Sequence, residues 1–279
     1  MGPEHGRAAS AQRFAVAVVG PGALGTLFAR RLSAIVPTAL VGRDTARLPQ
    51  ADWVILAVKA YDTAAAVSTA YRMKPQAIVS LQNGLVGQVP QGVTTAAAYR
   101  DGRRVVEVAT GKTLLPPGFG ALARLLRRAG LDATVVRDIR SARLRKLLAN
   151  VCLNPVTAVF GVRNGAVRKP PYDRFVEALA REAASVLAAE GLKITAAQAM
   201  RGVMDVAKVT ARNRSSMLQD VMARRRTEID YLTGALLQMA RRNRVSVPTH
   251  AAFHRLVHVM EGRIESAAPG RQPSLRRPR

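Results

Sequence analysis

The hydrophobic pattern changes period once along the chain. In the first half, apolar residues come in short unbroken runs: Arg13 to Val19, Thr38 to Val41, Asp52 to Val58 and Ile78 to Leu81. Runs of this kind, rich in Val and Ile and without polar alternation, predict strands covered on both faces. Segments at helical spacing separate them, such as T-L-F-A-R-R-L after the first run. Val105 to Ala109 and Thr134 to Val136 predict later strands flanking a helix over Ala121 to Ala129, which Gly130 ends as a C′ residue. From Asp138 onward the pattern is almost wholly helical. The predicted helices are Ser141 to Asn154, Tyr172 to Glu190, Thr195 to about Ser216, Glu228 to Arg242 and Pro248 to about Met260. Pro170-Pro171 precedes the second and Gly191 closes it, while Thr227-Glu228-Ile229-Asp230 reads as a capping box opening the fourth. The expected fold class is an N-terminal α/β Rossmann-like domain, with a mostly parallel doubly wound sheet, followed by an all-α C-terminal domain.

The first strand runs directly into Gly20-Pro21-Gly22-Ala23-Leu24-Gly25, and a helix follows. Strand, G-x-G-x-x-G and helix in this order form the dinucleotide fingerprint. The first glycine allows the tight turn, the second lets backbone approach a pyrophosphate, and the third lets helix and strand pack closely. The helix N-terminus then offers N–H donors and partial positive charge to the phosphates. The second strand ends at Gly42-Arg43-Asp44. An NAD site places an acid there for the ribose 2′-hydroxyl, whereas the Arg43 guanidinium suits a 2′-phosphate, so NADP is expected, with Asp44 the competing residue. Lys59 and Asn83 fall at the carboxyl ends of strands, where open parallel sheets bind ligands.

In the second half, Lys146, Asn150 and Asn154 lie four apart and share one face of a predicted helix whose apolar stripe is Leu144, Leu147, Leu148 and Val151. Asparagine is a poor interior helix residue, so two of them aligned with a lysine point to a polar site or a solvated stripe. The expected division is a disordered tail over 1–12, a NADP-binding Rossmann domain over 13–137, a helical substrate and catalytic domain over 138–266, and a disordered basic tail over 267–279. The helix Ser141 to Asn154 stands at the junction, and domain junctions commonly bind ligands. His250, His254 and His258 recur every fourth residue. The outer two are about 12 Å apart at 1.5 Å per residue, too far for one ion, and the sequence offers no evident third ligand, so no metal is expected.

Composition adds charge to this picture. The chain has 279 residues, 43 Lys and Arg against 18 Asp and Glu, and a formal charge of +25. Such a surface attracts phosphorylated cofactors, nucleic acid and acidic membranes. Aromatic residues make up only 4%, and the arginine clusters are not interleaved with stacking side chains, which argues against a dedicated nucleic-acid site. Cys152 is the one cysteine, so no disulfide framework asks for an oxidising compartment. The apolar run Phe14 to Ala29 imitates a signal peptide, but Gly20-Pro21-Gly22 breaks it. With no stretch of about 18 uninterrupted apolar residues, a cytoplasmic protein without a membrane span is expected.

The segments V-V-G-P-G-A-L-G, A-V-K-A-Y-D-T, Q-N-G, R-K-L-L-A-N-V-C-L-N-P-V-T-A and S-S-M-L-Q-D-V-M-A-R-R-R-T-E-I-D-Y-L-T-G resemble the ketopantoate reductase (2-dehydropantoate 2-reductase) family. The resemblance spans nearly the whole chain between the tails. It implies reduction of 2-dehydropantoate to (R)-pantoate with NADPH, in pantothenate and coenzyme A biosynthesis. It implies Lys146 as the catalytic lysine and Glu228 as the glutamate that orients substrate and cofactor. Asn150, Asn154 and Ser216 match substrate-holding positions, and Asn83 is placed with both substrate and cofactor. Gly20, Gly22, Ala23, Leu24, Gly25, Arg43, Lys59 and Ala98 match cofactor-contacting positions. The implied partner is a small 2-oxo acid, bound by a monomer or homodimer. The alternatives are a related NADP-dependent reductase of another 2-oxo or β-oxo acid and, more remotely, a basic nucleic-acid-binding protein on a Rossmann scaffold. The chain departs from the family in its short connections after Arg43 and after Asn83-Gly84 and in its extra tails, and the first of these is expected to thin the cover over the adenine end of the cofactor.

Overall fold

The structure is a computed structural model that describes residues 13–266; the expected tails over 1–12 and 267–279 lie outside the described residues. The chain forms two compact units, which part between Arg143 and Leu144.

The first unit is built on β1 (Arg13–Val19), β2 (Thr38–Val41), β3 (Gln50–Leu56) and β4 (Ala77–Ser80). They form a parallel sheet in the order β2-β1-β3-β4, with Val16 opposite Trp53 and Val18 opposite Ile55. Successive strand residues face opposite sides, and here both sides are apolar because both are covered. Val16, Val18, Ile55 and Val79 pack with Phe28 and Leu32 of α1 (Ala23–Ser33) and with Leu122 and Leu126 of α3 (Gly120–Arg128). Ala17, Val19, Val54 and Leu56 pack with Ala66, Val67 and Ala70 of α2 (Thr63–Arg72) and with Met73.

The two later strands form where expected but outside the four-stranded sheet. β7 (Arg104–Ala109) pairs antiparallel with β6 (Ala97–Asp101) as a separate hairpin turning at Gly102, whose φ is +56°. Its side chains are half-buried or exposed, so no second layer draws it into the parallel sheet. β9 (Ala133–Val135) runs parallel to β8 (Thr113–Leu115), which pairs antiparallel with β5 (Val93–Thr94). A single bridge between Ser80 and Gln91 ties the end of β4 to the segment leading into β5. No helix intervenes in this short connection.

The second unit is helical. α4 (Ile139–Phe160) runs beyond the predicted end and passes through Pro155. Proline has no N–H for the Val151 carbonyl and normally ends a helix. Here Leu147, Leu148, Val151, Val156 and Ala158 are all buried, and that packing carries the helix past the break. α5 (Tyr172–Ala189) follows. The predicted helix from Thr195 to about Ser216 is two helices. α6 (Ala196–Val209) opens on a complete Thr195–Gln198 capping box, and α7 (Ser216–Met222) starts afresh because Ser215 accepts the Leu218 N–H. The predicted helix over Glu228 to Arg242 has a π-helical turn, Asp230–Gly234, before α8 (Ala235–Arg242). The capping box expected at its start does not form: Thr227 Oγ1 accepts the Ile229 N–H, and the Thr227 N–H goes to Glu261 Oε1 at 2.7 Å instead of to Asp230. α9 (Pro248–Ser266) closes the unit. Among the described residues no helix is long and apolar enough to cross a membrane.

Candidate functional site

The site residues of the first unit gather at the carboxyl ends of its parallel strands. Gly20 has φ +114°, and a Cβ there would lie 2.8 Å from the Ala57 backbone. A Cβ on Gly25 would overlap the Gly20 carbonyl, so α1 can sit this close to the turn only with glycine there. Gly22, the N-cap of α1, has open space where a Cβ would project. The first turn of α1 carries no acidic residue, so its N–H groups and dipole stay available to an anion. Ala23 and Leu24 form that first turn. The end of β2 lies against it: the Gly20 N–H bonds Val41 O at 2.9 Å, and a Cβ on Gly42 would touch Pro21. Arg43 is exposed just beyond and pairs with Asp62 at 2.6 Å; Asp44 is exposed as well.

Lys59 caps the short 3-10 turn Ala60–Asp62 and is half-buried. Asn83 sits in a turn with Gly84 at φ +76°. Two glutamines that the sequence reading passed over hold both positions. Buried Gln82 donates from Nε2 to Lys59 O at 3.2 Å and to Thr63 Oγ1 at 2.9 Å. Buried Gln91 donates to Gln82 O and Gly84 O, at 3.1 and 2.8 Å, and accepts the Val86 N–H at 3.1 Å. One side chain thus closes the loop that carries Asn83, in place of a helix. Ala98 follows a bulge in β6, opposite Glu107. Two residues on, the Arg100 guanidinium donates to the Pro21 carbonyl, which brings a cation onto the glycine turn. Nothing in the local sequence marks Gln91 or Arg100, and Gln82 enters only as part of Q-N-G, because each acts on groups that the fold brings near.

The second unit holds the remaining residues. Lys146, Asn150 and Asn154 lie on α4; the first two are half-buried and Asn154 is buried. Thr157, one turn further, has its hydroxyl 2.6 Å from Ser215 Oγ, which fixes the start of α7 against α4. Ser216, half-buried, is therefore the first residue of α7, not the last of the preceding helix. Glu228 is buried, with its carbonyl accepting the Tyr231 and Leu232 N–H groups. Burial lowers the Lys146 ammonium from the usual lysine value to about 8, and the Glu228 carboxylate opposes that shift. A lysine in this state exchanges its proton close to neutral pH and still carries charge for an anion.

The three histidines separate. His250 is wholly buried, and its Nδ1 lies 2.9 Å from Glu182 Oε2. Burial lowers its pKa, against the pull of Glu182. His254 and His258 instead face Asp230, at 3.0 and 2.9 Å. Cys152 is buried, and burial together with the nearby Glu182 charge pushes its thiol well above the usual range.

Among solved structures the chain resembles D-mandelate dehydrogenase in its ternary complex with NADH and anilino(oxo)acetate, with TM-score 0.81 and 20% identity over 91% of this chain and 100% of that one. It also resembles a PanE/ApbA family ketopantoate reductase from Ralstonia eutropha JMP134, with TM-score 0.78, 24% identity and the same coverage. These likenesses define the class: a Rossmann-like parallel sheet followed by a helical C-terminal unit. The 2-dehydropantoate 2-reductase of Yersinia pestis is 34% identical over 251 residues, covering 83% of this chain and 82% of its own. The family described as ketopantoate reductase PanE/ApbA matches residues 34–117, and its C-terminal counterpart matches residues 138–261. The chain belongs to the ketopantoate reductase family and is an oxidoreductase.

Proposed function

We propose that the protein reduces 2-dehydropantoate to (R)-pantoate with NADPH, in the cytoplasm, on the route to coenzyme A. The observation that carries this reading is Lys146, whose ammonium burial lowers to about 8 while the charge of the buried Glu228 opposes the shift. The glycine turn fits the cofactor: Gly22 leaves space for a pyrophosphate, and no acid opposes it on α1. Gly20, Gly22, Ala23, Leu24 and Gly25 would hold the pyrophosphate, Arg43 the 2′-phosphate, and Lys59, Asn83 and Ala98 the rest of the dinucleotide. When bound, NADPH supplies a hydride to the ketone carbon.

Lys146 gives its proton to the C2 oxygen as negative charge develops there. An ammonium is suited to this because it provides both a charge and a proton. Asn150, Asn154 and Ser216 donate hydrogen bonds to the substrate carboxylate and oxygens. Glu228 accepts a hydrogen bond from the hydroxyl on the far side of the ketone, and Asn83 serves the substrate as well as the cofactor. The working form is a monomer or homodimer.

The test compares ketopantoate with 3,3-dimethyl-2-oxobutanoate, the same 2-oxo acid with hydrogen in place of that hydroxyl, in NADPH oxidation. A site built to bond a hydroxyl is left with an unpaired polar group by the analogue, and discrimination can reach about 10⁴-fold. The wild type should favour ketopantoate strongly in kcat/KM, and Glu228→Ala should collapse the ratio. Equal use of both substrates by the wild type would replace this reading with a general 2-oxo acid reductase.

A further inference from the structure

The turn that opens with Glu228 carries a second acid, Asp230, which the reaction above does not use. Its Oδ1 lies 3.0 Å from His254 Nε2 and 2.9 Å from His258 Nε2. The two histidines are one helical turn apart on α9, with ring centroids 4.5 Å apart at 73°. Asp230 is the third ligand that the histidine spacing alone does not provide. We propose that Asp230, His254 and His258 form a zinc site that clips the π-helical turn to α9.

The donor set is two imidazole nitrogens and one carboxylate oxygen, which suits Zn²⁺ with a water as fourth ligand. The three ligand atoms all lie within 4.8 Å of one another. Bonds of about 2.0–2.2 Å to a tetrahedral ion place its ligand atoms roughly 3.3–3.5 Å apart, so the two Asp230–histidine distances have only to open by a few tenths of an ångström, and the two ring nitrogens, within 4.8 Å, have at most about 1.5 Å to close. The surroundings are arranged for it as well. Zinc-bound histidines usually hand their other ring nitrogen to a carboxylate or carbonyl. His258 Nδ1 lies 3.2 Å from Glu261 Oε2, and Glu261 is itself fixed by the Thr227 N–H on its other oxygen.

A ring that donates to Asp230 does so through Nε2–H. Zinc would take the lone pair of that nitrogen, so the bound ring presents its hydrogen at Nδ1, and at His258 the Glu261 carboxylate is placed to accept it. Asp230 is available because the expected capping box does not form and Thr227 bonds Glu261 instead. The lack of a side chain at Gly234 also matters: a Cβ there would already stand 3.4 Å from His254 Nε2, so larger groups would press into the site. Arg226 lies 3.8 Å from the second oxygen of Asp230 and leaves Oδ1 to the ion. All three ligands are partly exposed, which gives an ion access from solvent. With +25 on the chain, the long-range field does not draw a cation, so affinity must come from these local groups.

The test uses the full chain without a histidine tag, stripped with chelator and then titrated with zinc against a chromophoric competitor. One equivalent should bind and raise Tm by several degrees. Co²⁺ in its place should give the intense visible d–d absorption of a four-coordinate site. Asp230→Asn and His258→Gln, each checked for native circular dichroism, should lose the equivalent. Glu261→Gln should keep the stoichiometry but weaken affinity by about 10–100-fold, as expected of a group that orients a ligand. Absence of a bound equivalent in the wild type would overturn the proposal. So would an equivalent that survives in both ligand variants, since the ion would then sit elsewhere. Because the readout is metal binding, the result is independent of which oxo acid the protein reduces.

Discussion

Lys146 shows what a single residue's surroundings do to its chemistry. Its ammonium is lowered to about 8, chiefly by burial, with Glu228 acting in the other direction. The protonated form, needed to donate to the substrate oxygen, is complete well below that pH and is lost as pH rises through it. The kcat for reduction should therefore fall as pH passes about 8, far below an ordinary lysine. Removing the opposing charge with Glu228→Gln should move this descending limb to lower pH, as read from normalised kcat profiles; an unmoved limb would assign the titration to another group. Arg43 presents a contrasting case. Its ion pair with Asp62 is exposed, and such pairs contribute about 0–1 kcal/mol, so a phosphate can readily take Asp62's place. Arg43→Ala should raise KM for NADPH far more than for NADH, and Asp62→Asn should lower KM for NADPH alone. Equal changes for both cofactors would put the 2′-phosphate elsewhere. Lys146, Asn150 and Asn154 were legible from the sequence because one helix period aligns them. Gln82, Gln91 and Arg100 were not, since each bonds a backbone oxygen that the fold alone brings near.

At the scale of elements, the N-terminus of α9 depends on α5. Pro248 begins the helix, and Glu182 of α5 accepts the Thr249 and His250 N–H groups at 2.9 and 3.0 Å, in addition to facing the His250 ring. Desolvation raises the Glu182 carboxyl, but these hydrogen bonds outweigh it and hold the group at about 2, below its usual 4.5. A depressed carboxylate stabilises the fold fully above its unfolded value, and that contribution fades as pH falls from about 4.5 towards 2. Hydrogen bonds to a charged group contribute about 1.5–3 kcal/mol, so Glu182→Ala should lose roughly that much in urea unfolding at pH 7. The variant should also show a flatter loss of stability between pH 4.5 and 2. Equal steepness in both proteins would rule out Glu182 as the cause. The strong periods of β1 to β4 and of the helical stripes made these elements readable. The short β5 and β8, the first strand of the hairpin, β6, and the break before α7 were not, because two-to-five-residue pairings and a serine cap are decided by distant contacts.

For the molecule as a whole, the large positive charge is a property of surface, not of fold. Its arginines are scattered over both halves of the chain, and few aromatic side chains accompany them. Binding to DNA should therefore be weak and indifferent to sequence, and should disappear as salt rises, because counterion release is its only driving force. A titration from low to physiological salt tests this; tight binding that persists and prefers one sequence would revive the nucleic-acid reading. The two-part organisation was legible from the single change in hydrophobic period. The units part inside α4, between Arg143 and Leu144, where the helix runs on and neither Gly nor Pro marks the division.

Cys152 has a practical consequence. It is the chain's one thiol, buried in α4 and pushed towards its unreactive protonated form. The wild-type protein should thus be nearly silent to maleimide dyes while folded. Any cysteine engineered onto the surface becomes a unique chemical handle without first deleting the native one, and a pair of them, one in each unit, would accept donor and acceptor fluorophores for single-molecule work on an otherwise unaltered core.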